Sequence, residues 1–179
     1  MGKQTFVKTR KTLAILLLIC FVISLTAAAA NAKIDPSETY KIMSVNSCKV
    51  LDVTGASTAN SAQIIQYEWN GGDNQKWSFI PLSGKDKGYY RIESVNSGKC
   101  LDINGGSKEA GAKLIQYTLN NGDNQKFKLI PLSDDVYKIE CKHSKLVLDV
   151  TGESLDNSID IIQWKWKGSL NQQWFITAV

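Results

Sequence analysis

One unit occurs three times in this chain without internal insertion or deletion, and that repetition limits the possible folds more than any other feature. Tyr40 opens Tyr-Lys-Ile-Met-Ser-Val-Asn-Ser, Tyr90 opens Tyr-Arg-Ile-Glu-Ser-Val-Asn-Ser, and Tyr137 opens Tyr-Lys-Ile-Glu-Cys-Lys-His-Ser. Each opening leads to a Leu-Asp pair: Leu51-Asp52, Leu101-Asp102 and Leu148-Asp149. Fourteen residues after each Asp stands Gln66, Gln116 or Gln163, and twenty-three residues after it stands Gln75, Gln125 or Gln172. The copies begin 50 and 47 residues apart. A repeat of this length is one supersecondary unit that buries its apolar face only against its neighbours.

Each copy reads as four short strands. In the first copy they fall near residues 40–45, 49–53, 62–69 and 76–82. β-Branched and aromatic residues fill the strands. Turn-forming residues fill the breaks, as in Asn70-Gly71-Gly72-Asp73, Asn120-Asn121-Gly122-Asp123 and Lys167-Gly168-Ser169. No stretch after residue 32 sustains a 3.6-residue apolar period, so helix is scarce. Pro81 and Pro131 occupy matching places, where the fourth strand is expected to end. A propeller blade also has four strands, but propellers typically need at least four blades. Three copies of four strands predict an all-β chain, a β-trefoil with pseudo-threefold symmetry and closed edges. The repeats span about residues 38–86, 87–134 and 135–179.

The first 32 residues stand apart. Lys3, Lys8, Arg10 and Lys11 precede an apolar run from Leu13 to Leu25, and Ala30-Asn31-Ala32 offers a small-residue cleavage site. This order is that of a secretory signal peptide, residues 1–32, and predicts a secreted, extracellular domain over residues 33–179. The run is 13 residues long, against the roughly 20 that a spanning helix needs, so no membrane span is expected in the mature chain. Cleavage removes four of the 21 basic residues and none of the 17 acidic ones, which leaves 17 of each. A neutral mature chain without a basic run gives no reason to expect nucleic acid as a partner. Cys48, Cys100 and Cys141 remain, an odd number, so disulfides cannot be the main staple.

The motifs Gln75-Lys76-Trp77, Gln125-Lys126-Phe127 and Gln172-Gln173-Trp174, each preceded by Asn, resemble the Gln-x-Trp repeats of the ricin-B lectin family. The resemblance covers residues 37–179, and Phe127 is the one departure within the motifs. It implies that Trp77, Phe127 and Trp174 anchor the core. It also implies a shallow sugar site in each repeat, made of an Asp, a stacking aromatic and an Asn. These sets are Asp52, Tyr67 and Asn74; Asp102, Tyr117 and Asn124; and Asp149, Trp164 and Asn171. The chemistry suits a pyranose, whose C–H face meets the aromatic and whose hydroxyls meet a charged acceptor. In many relatives a polar Gln stands two residues before the aromatic, where this chain has Ile65, Ile115 and Ile162. The family's within-repeat disulfide also lacks its second cysteine. Period-two alternation puts Ile65, Tyr67 and Trp69 on one face, which is either the sugar-facing or the buried face. The Asp residues either accept from sugar hydroxyls or cap a turn.

The functional expectation is a carbohydrate-binding lectin with up to three sites, for galactosides or related polysaccharides. The alternative is a protein-binding trefoil, an inhibitor or a toxin-complex subunit; a place in a larger toxin or enzyme complex stays open. An enzyme is not expected. The carboxylates come one set per repeat and suggest no facing pair of the kind that glycoside hydrolysis needs. His143 is the single histidine and reads as a solvated loop residue; with Cys141 it makes a poor metal pair, and no metal or other cofactor is expected. The signal-peptide reading predicts that secreted protein begins at Lys33 on N-terminal sequencing, whereas recovery of the apolar segment in a membrane fraction contradicts it.

Overall fold

A computed structural model describes residues 34–179; the expected signal peptide lies outside the described residues. Twelve strands follow in three groups of four. The first repeat holds β1 (Thr39–Ser44), β2 (Val50–Val53), β3 (Ile64–Tyr67) and β4 (Trp77–Pro81). The second holds β5 (Tyr90–Ser94), β6 (Cys100–Ile103), β7 (Leu114–Tyr117) and β8 (Phe127–Ser133). The third holds β9 (Val136–Cys141), β10 (Val147–Val150), β11 (Ile159–Trp164) and β12 (Trp174–Ala178). Short 3₁₀ turns are the only helical elements among the described residues.

The first and fourth strands of each repeat close a six-stranded antiparallel barrel, in which β1 pairs with β4, β4 with β5, β5 with β8, β8 with β9, β9 with β12, and β12 with β1. The second and third strands form hairpins β2–β3, β6–β7 and β10–β11. The hairpins meet in pairs through Ile159–Gln66, Gln63–Ile115 and Lys113–Ile162, which completes the cap of a β-trefoil. Closure leaves no barrel edge for another chain to extend.

Equivalent residues fill the core in rings of three. Ile42, Ile92 and Ile139 form one ring, and Leu51, Leu101 and Leu148 another, all without exposed surface. Each such side chain contributes about 1.5–3 kcal/mol through burial. Trp77, Phe127 and Trp174 open β4, β8 and β12 and are fully buried. Trp77 Nε1 donates to Leu51 O and Trp174 Nε1 to Leu148 O, both at 3.3 Å; Phe127 has no such donor. Cys100 and Cys141 are buried free thiols, each pushed up to about 11, chiefly by burial.

The repeats are locked by polar side chains that cross from one to the next. Gln66, Gln116 and Gln163 are fully buried. Gln66 Nε2 donates to Ser154 O and Asp156 O, Gln116 Nε2 to Ser57 O and Ala59 O, and Gln163 Nε2 to Ser107 O and Glu109 O. Each carbonyl oxygen Oε1 accepts from a serine of its own repeat, Ser47, Ser97 or Ser144, at 2.7 Å. Beside each Gln a second side chain holds the same neighbouring loop: Asn46 Nδ2 donates to Glu153 O at 2.8 Å and Asn96 Nδ2 to Ala56 O at 2.9 Å.

In the third repeat His143 takes that role, with Nε2 3.0 Å from Gly106 O and 2.7 Å from Ser107 O. His143 is therefore a half-buried tie between repeats and not the solvated loop residue expected. Two other expectations are corrected. The third strand of the first repeat is shorter than residues 62–69, because the Gln75 side chain takes Glu68 O and Asn70 N from the ladder. The eighth strand does not end at Pro131 but continues to Ser133 after a register shift.

Gln116→Leu leaves two carbonyls and the Ser97 hydroxyl without their partner. It is predicted to lower unfolding stability by about 2–4 kcal/mol, read by urea denaturation. A change within about 0.5 kcal/mol, the range of an ordinary surface substitution, contradicts the role assigned to these glutamines.

Candidate functional site

The hairpin registers decide which side chains face outward. Asp52 lies opposite Ile65 and Val50 opposite Tyr67, while Leu51–Gln66 and Val53–Ile64 point to the core. The second and third hairpins repeat this arrangement, with Asp102 opposite Ile115 and Asp149 opposite Ile162. Tyr67 and Tyr117 are each 37% exposed, so the face shared by Ile65, Tyr67 and Trp69 is the outer one and the buried-face reading of the tyrosines is excluded. Ile65 and Ile115 form an apolar floor beneath that face. The buried Gln66 set is committed to its loop carbonyls and cannot replace the outward Gln that many relatives carry.

Each Asp is buried and held by the Gln of the motif in its own repeat. Gln75 Nε2 donates to Asp52 Oδ2 at 2.7 Å, Gln125 Nε2 to Asp102 Oδ2 at 2.8 Å, and Gln172 Nε2 to Asp149 Oδ2 at 2.7 Å. The second N–H of each amide goes to Glu68 O, Thr118 O or Lys165 O, and each Oε1 accepts from Asn70 N, Asn120 N or Lys167 N. The Gln sits in a 3₁₀ turn directly before the barrel strand, so the core aromatic two residues later fixes where its amide points. Burial raises all three carboxyls above the ordinary Asp range, and the hydrogen bond from Gln lowers them in part.

In every repeat the Asn amide donates to the carbonyl of the residue after the Asp, and its hydrogen bond also helps to lower the Asp carboxyl. Asn74 Nδ2 donates to Val53 O and Asn124 Nδ2 to Ile103 O, both at 3.3 Å. Asn171 Nδ2 donates to Asp149 Oδ1 and Val150 O, both at 3.0 Å. The three residues of each predicted set thus meet on one hairpin and its following turn. In the third repeat they line a groove of about 260 Å³ with Ile162, Lys167 and Ser169. The opposite rim is the turn Thr151–Glu153, in which Gly152 has φ 65°, a left-handed value that favours glycine.

Neither this rim nor Lys167 and Ser169 belongs to the expected sets; the break Lys167-Gly168-Ser169 is a turn that also lines the groove. Its departure from Asn70-Gly71-Gly72 was the available signal. Trp164 is half-buried, with Cζ3 3.5 Å from the Cβ position of Gly111 and the Lys167 ammonium 5.8 Å from its ring centre. Its larger ring is therefore less open than those of Tyr67 and Tyr117.

Comparison with known proteins agrees with this geometry. The family of ricin-type β-trefoil lectin domain-like proteins matches residues 30–117 and 73–164. No curated protein sequence gives a significant match. Among solved structures, the designed threefold-symmetric protein ThreeFoil is 40% identical with a TM-score of 0.76, over 79% of this chain and 99% of that one. An exo-β-1,3-galactanase from Clostridium thermocellum is also 40% identical, with a TM-score of 0.77 over 82% of this chain but only 31% of its own. The Macrolepiota procera ricin B-like lectin, solved in complex with lactose, is 25% identical with a TM-score of 0.66, over 81% of this chain and 98% of that one. Fold, repeats and matched residues together place the chain in the family of ricin-type β-trefoil lectin domain-like proteins.

Proposed function

We propose that this protein is a secreted lectin that binds carbohydrate through one shallow site per repeat and catalyses no reaction. One observation carries the reading. Three times over, a buried carboxylate is held in place by a motif glutamine beside an outward-facing aromatic ring. A carboxylate so held keeps lone pairs to accept from sugar hydroxyls, even at Asp149, where Gln172 and Asn171 engage one oxygen each; each such bond contributes about 1.5–3 kcal/mol. The ring receives the C–H face of the same pyranose. A protein-binding trefoil has no need to keep one pocket three times.

Galactosides are the proposed ligands, with related polysaccharides as multivalent targets. The 25%-identical lectin in complex with lactose supports this, as does the 40%-identical segment of an exo-β-1,3-galactanase. One ring and a few hydrogen bonds yield on the order of 4–5 kcal/mol per site, a dissociation constant near millimolar. Engaging several sites on one polymer raises retention by roughly 10²–10⁴.

Replacing Asp52, Asp102 and Asp149 together by Ala is predicted to abolish retention on a galactoside resin. The matching triple change to Asn keeps an acceptor for each Gln and separates loss of charge from loss of fold. Unchanged retention by either folded variant places the ligand elsewhere. Failure of the unaltered protein to bind any member of a broad glycan array removes the lectin reading. Retention is predicted to survive a chelator, since each site offers a single Asp.

Retention is also predicted to fall on acidification at a higher pH than the ordinary Asp value of about 3.9. The acceptor is the charged form, and burial raises the pKa of all three carboxyls. The fold outlasts this loss. The three site carboxyls protonate more readily in the folded chain than in the unfolded one, so their titration does not destabilise it. Asp123, held down to about 2 by Lys126 and Lys142, contributes stability that is present above the ordinary Asp value and lost only as pH falls towards 2. Retention that is flat with pH until the protein unfolds contradicts the assignment.

A further inference from the structure

The three copies act as internal controls for one another, and the third groove departs from the other two at several positions. In the first two repeats, glycine stands three residues before the motif Gln, at Gly72 and Gly122. Asn74 Oδ1 lies 2.6 Å from the point where a Cβ on Gly72 would stand, and Asn124 Oδ1 is closer still to the equivalent point on Gly122. A side chain at either glycine would force the Asn to shift. The third repeat has Ser169 there, and its hydroxyl faces the Asn oxygen. Ser169 Oγ donates to Asn171 Oδ1 at 2.6 Å, while both Nδ2 hydrogens go to Asp149 Oδ1 and Val150 O. Asn171 is 3% exposed and has no N–H left for a ligand.

A different donor stands in the same groove. Asn70 and Asn120 bend back to accept from Gly72 N at 2.8 Å and Gly122 N at 2.7 Å. Their counterpart, Lys167, lines the groove and makes no ion pair among the described residues. On the facing rim Glu153 replaces Ala56 and Gly106. Trp164 replaces a tyrosine, which removes a phenolic hydroxyl.

We infer that the first two sites are a matched pair that reads one glycan, and that the third reads another: a pyranoside whose hydroxyls bridge the Lys167 ammonium and the Glu153 carboxylate. The protein then cross-links two kinds of glycan instead of gripping one kind three times. This inference rests on the lectin reading above.

The test isolates each site through its exposed or half-exposed ring. Tyr117→Ala with Trp164→Ala leaves the first site, Tyr67→Ala with Trp164→Ala the second, and Tyr67→Ala with Tyr117→Ala the third. Asp149→Asn replaces Trp164→Ala if the latter does not fold. Each variant is biotinylated, tetramerised on streptavidin and applied to an array of neutral, amino and acidic pyranosides that includes galactosides. The first two sites are expected to share their strongest glycans, and the strongest glycan of the third to bind them about tenfold or more weakly. Adding Glu153→Ala, Lys167→Asn and Ser169→Gly to the third-site variant is expected to shift its profile to that of the first. Identical profiles for all three sites, or a silent third site, overturn the inference and leave the lectin reading standing. A silent array for the unaltered protein overturns both.

Discussion

The hydrogen bond from each motif glutamine to the aspartate of its own repeat is the contact on which the sites depend. It joins two elements that have separate reasons to be where they are. The aspartate lies on a hairpin in the cap; the glutamine lies in the turn that feeds a barrel strand. Trp77, Phe127 and Trp174 bury completely and fix that turn. The glutamine amide, pointing the other way, then has three partners and little freedom. A carboxylate half removed from water is costly unless hydrogen-bonded, and here a charge-assisted bond from the Gln at 2.7–2.8 Å, with the Asn beside it, keeps it oriented. The same motif therefore builds core and pocket at once. That is why Phe127 can replace tryptophan without disturbing Gln125: the ring's volume anchors the turn, and the indole N–H is an addition.

A second set of contacts makes the three repeats one body. Gln66, Gln116 and Gln163 each satisfy two carbonyls of the neighbouring repeat, and Asn46, Asn96 and His143 stand beside them. The loops they hold include the 3₁₀ turns that form the rims of the sites. A rim is thus shaped by the next repeat as well as by its own, so the sites rely on closure of the whole ring. His143 differs from its counterparts in having a second contact, with Nδ1 3.1 Å from Cys141 Sγ.

Much of this was legible in the sequence because it is written three times. The strand pattern, the hairpins, the core aromatics and the Asp–aromatic–Asn spacing all recur in register, and recurrence separates constraint from accident. Period-two alternation alone could not say whether Tyr67 faced the core. That needed the register, in which Leu51 and Gln66 take the inner face. The role of Gln66 was hidden for a different reason: its partners, Ser154 and Asp156, lie 88 and 90 residues away, and no local rule reaches them. The role of His143 is hidden because it is the third member of a set with Asn46 and Asn96, a likeness of position and not of residue type. The hold on Asn171 includes a hydrogen bond from the Ser169 hydroxyl, which spacing does not reveal.

The most direct measurement is an NMR titration of the side-chain amides of Gln75 and Gln125 with lactose. These amides donate to the carboxylates proposed to receive sugar hydroxyls, and both are buried away from direct contact with solvent. The account predicts that their NH₂ resonances shift together with the rings of Tyr67 and Tyr117, while the amides of Gln66 and Gln116 on the inner face stay fixed. Saturation with lactose that leaves Gln75 and Gln125 unmoved, or moves only residues outside the three hairpins and their turns, contradicts it.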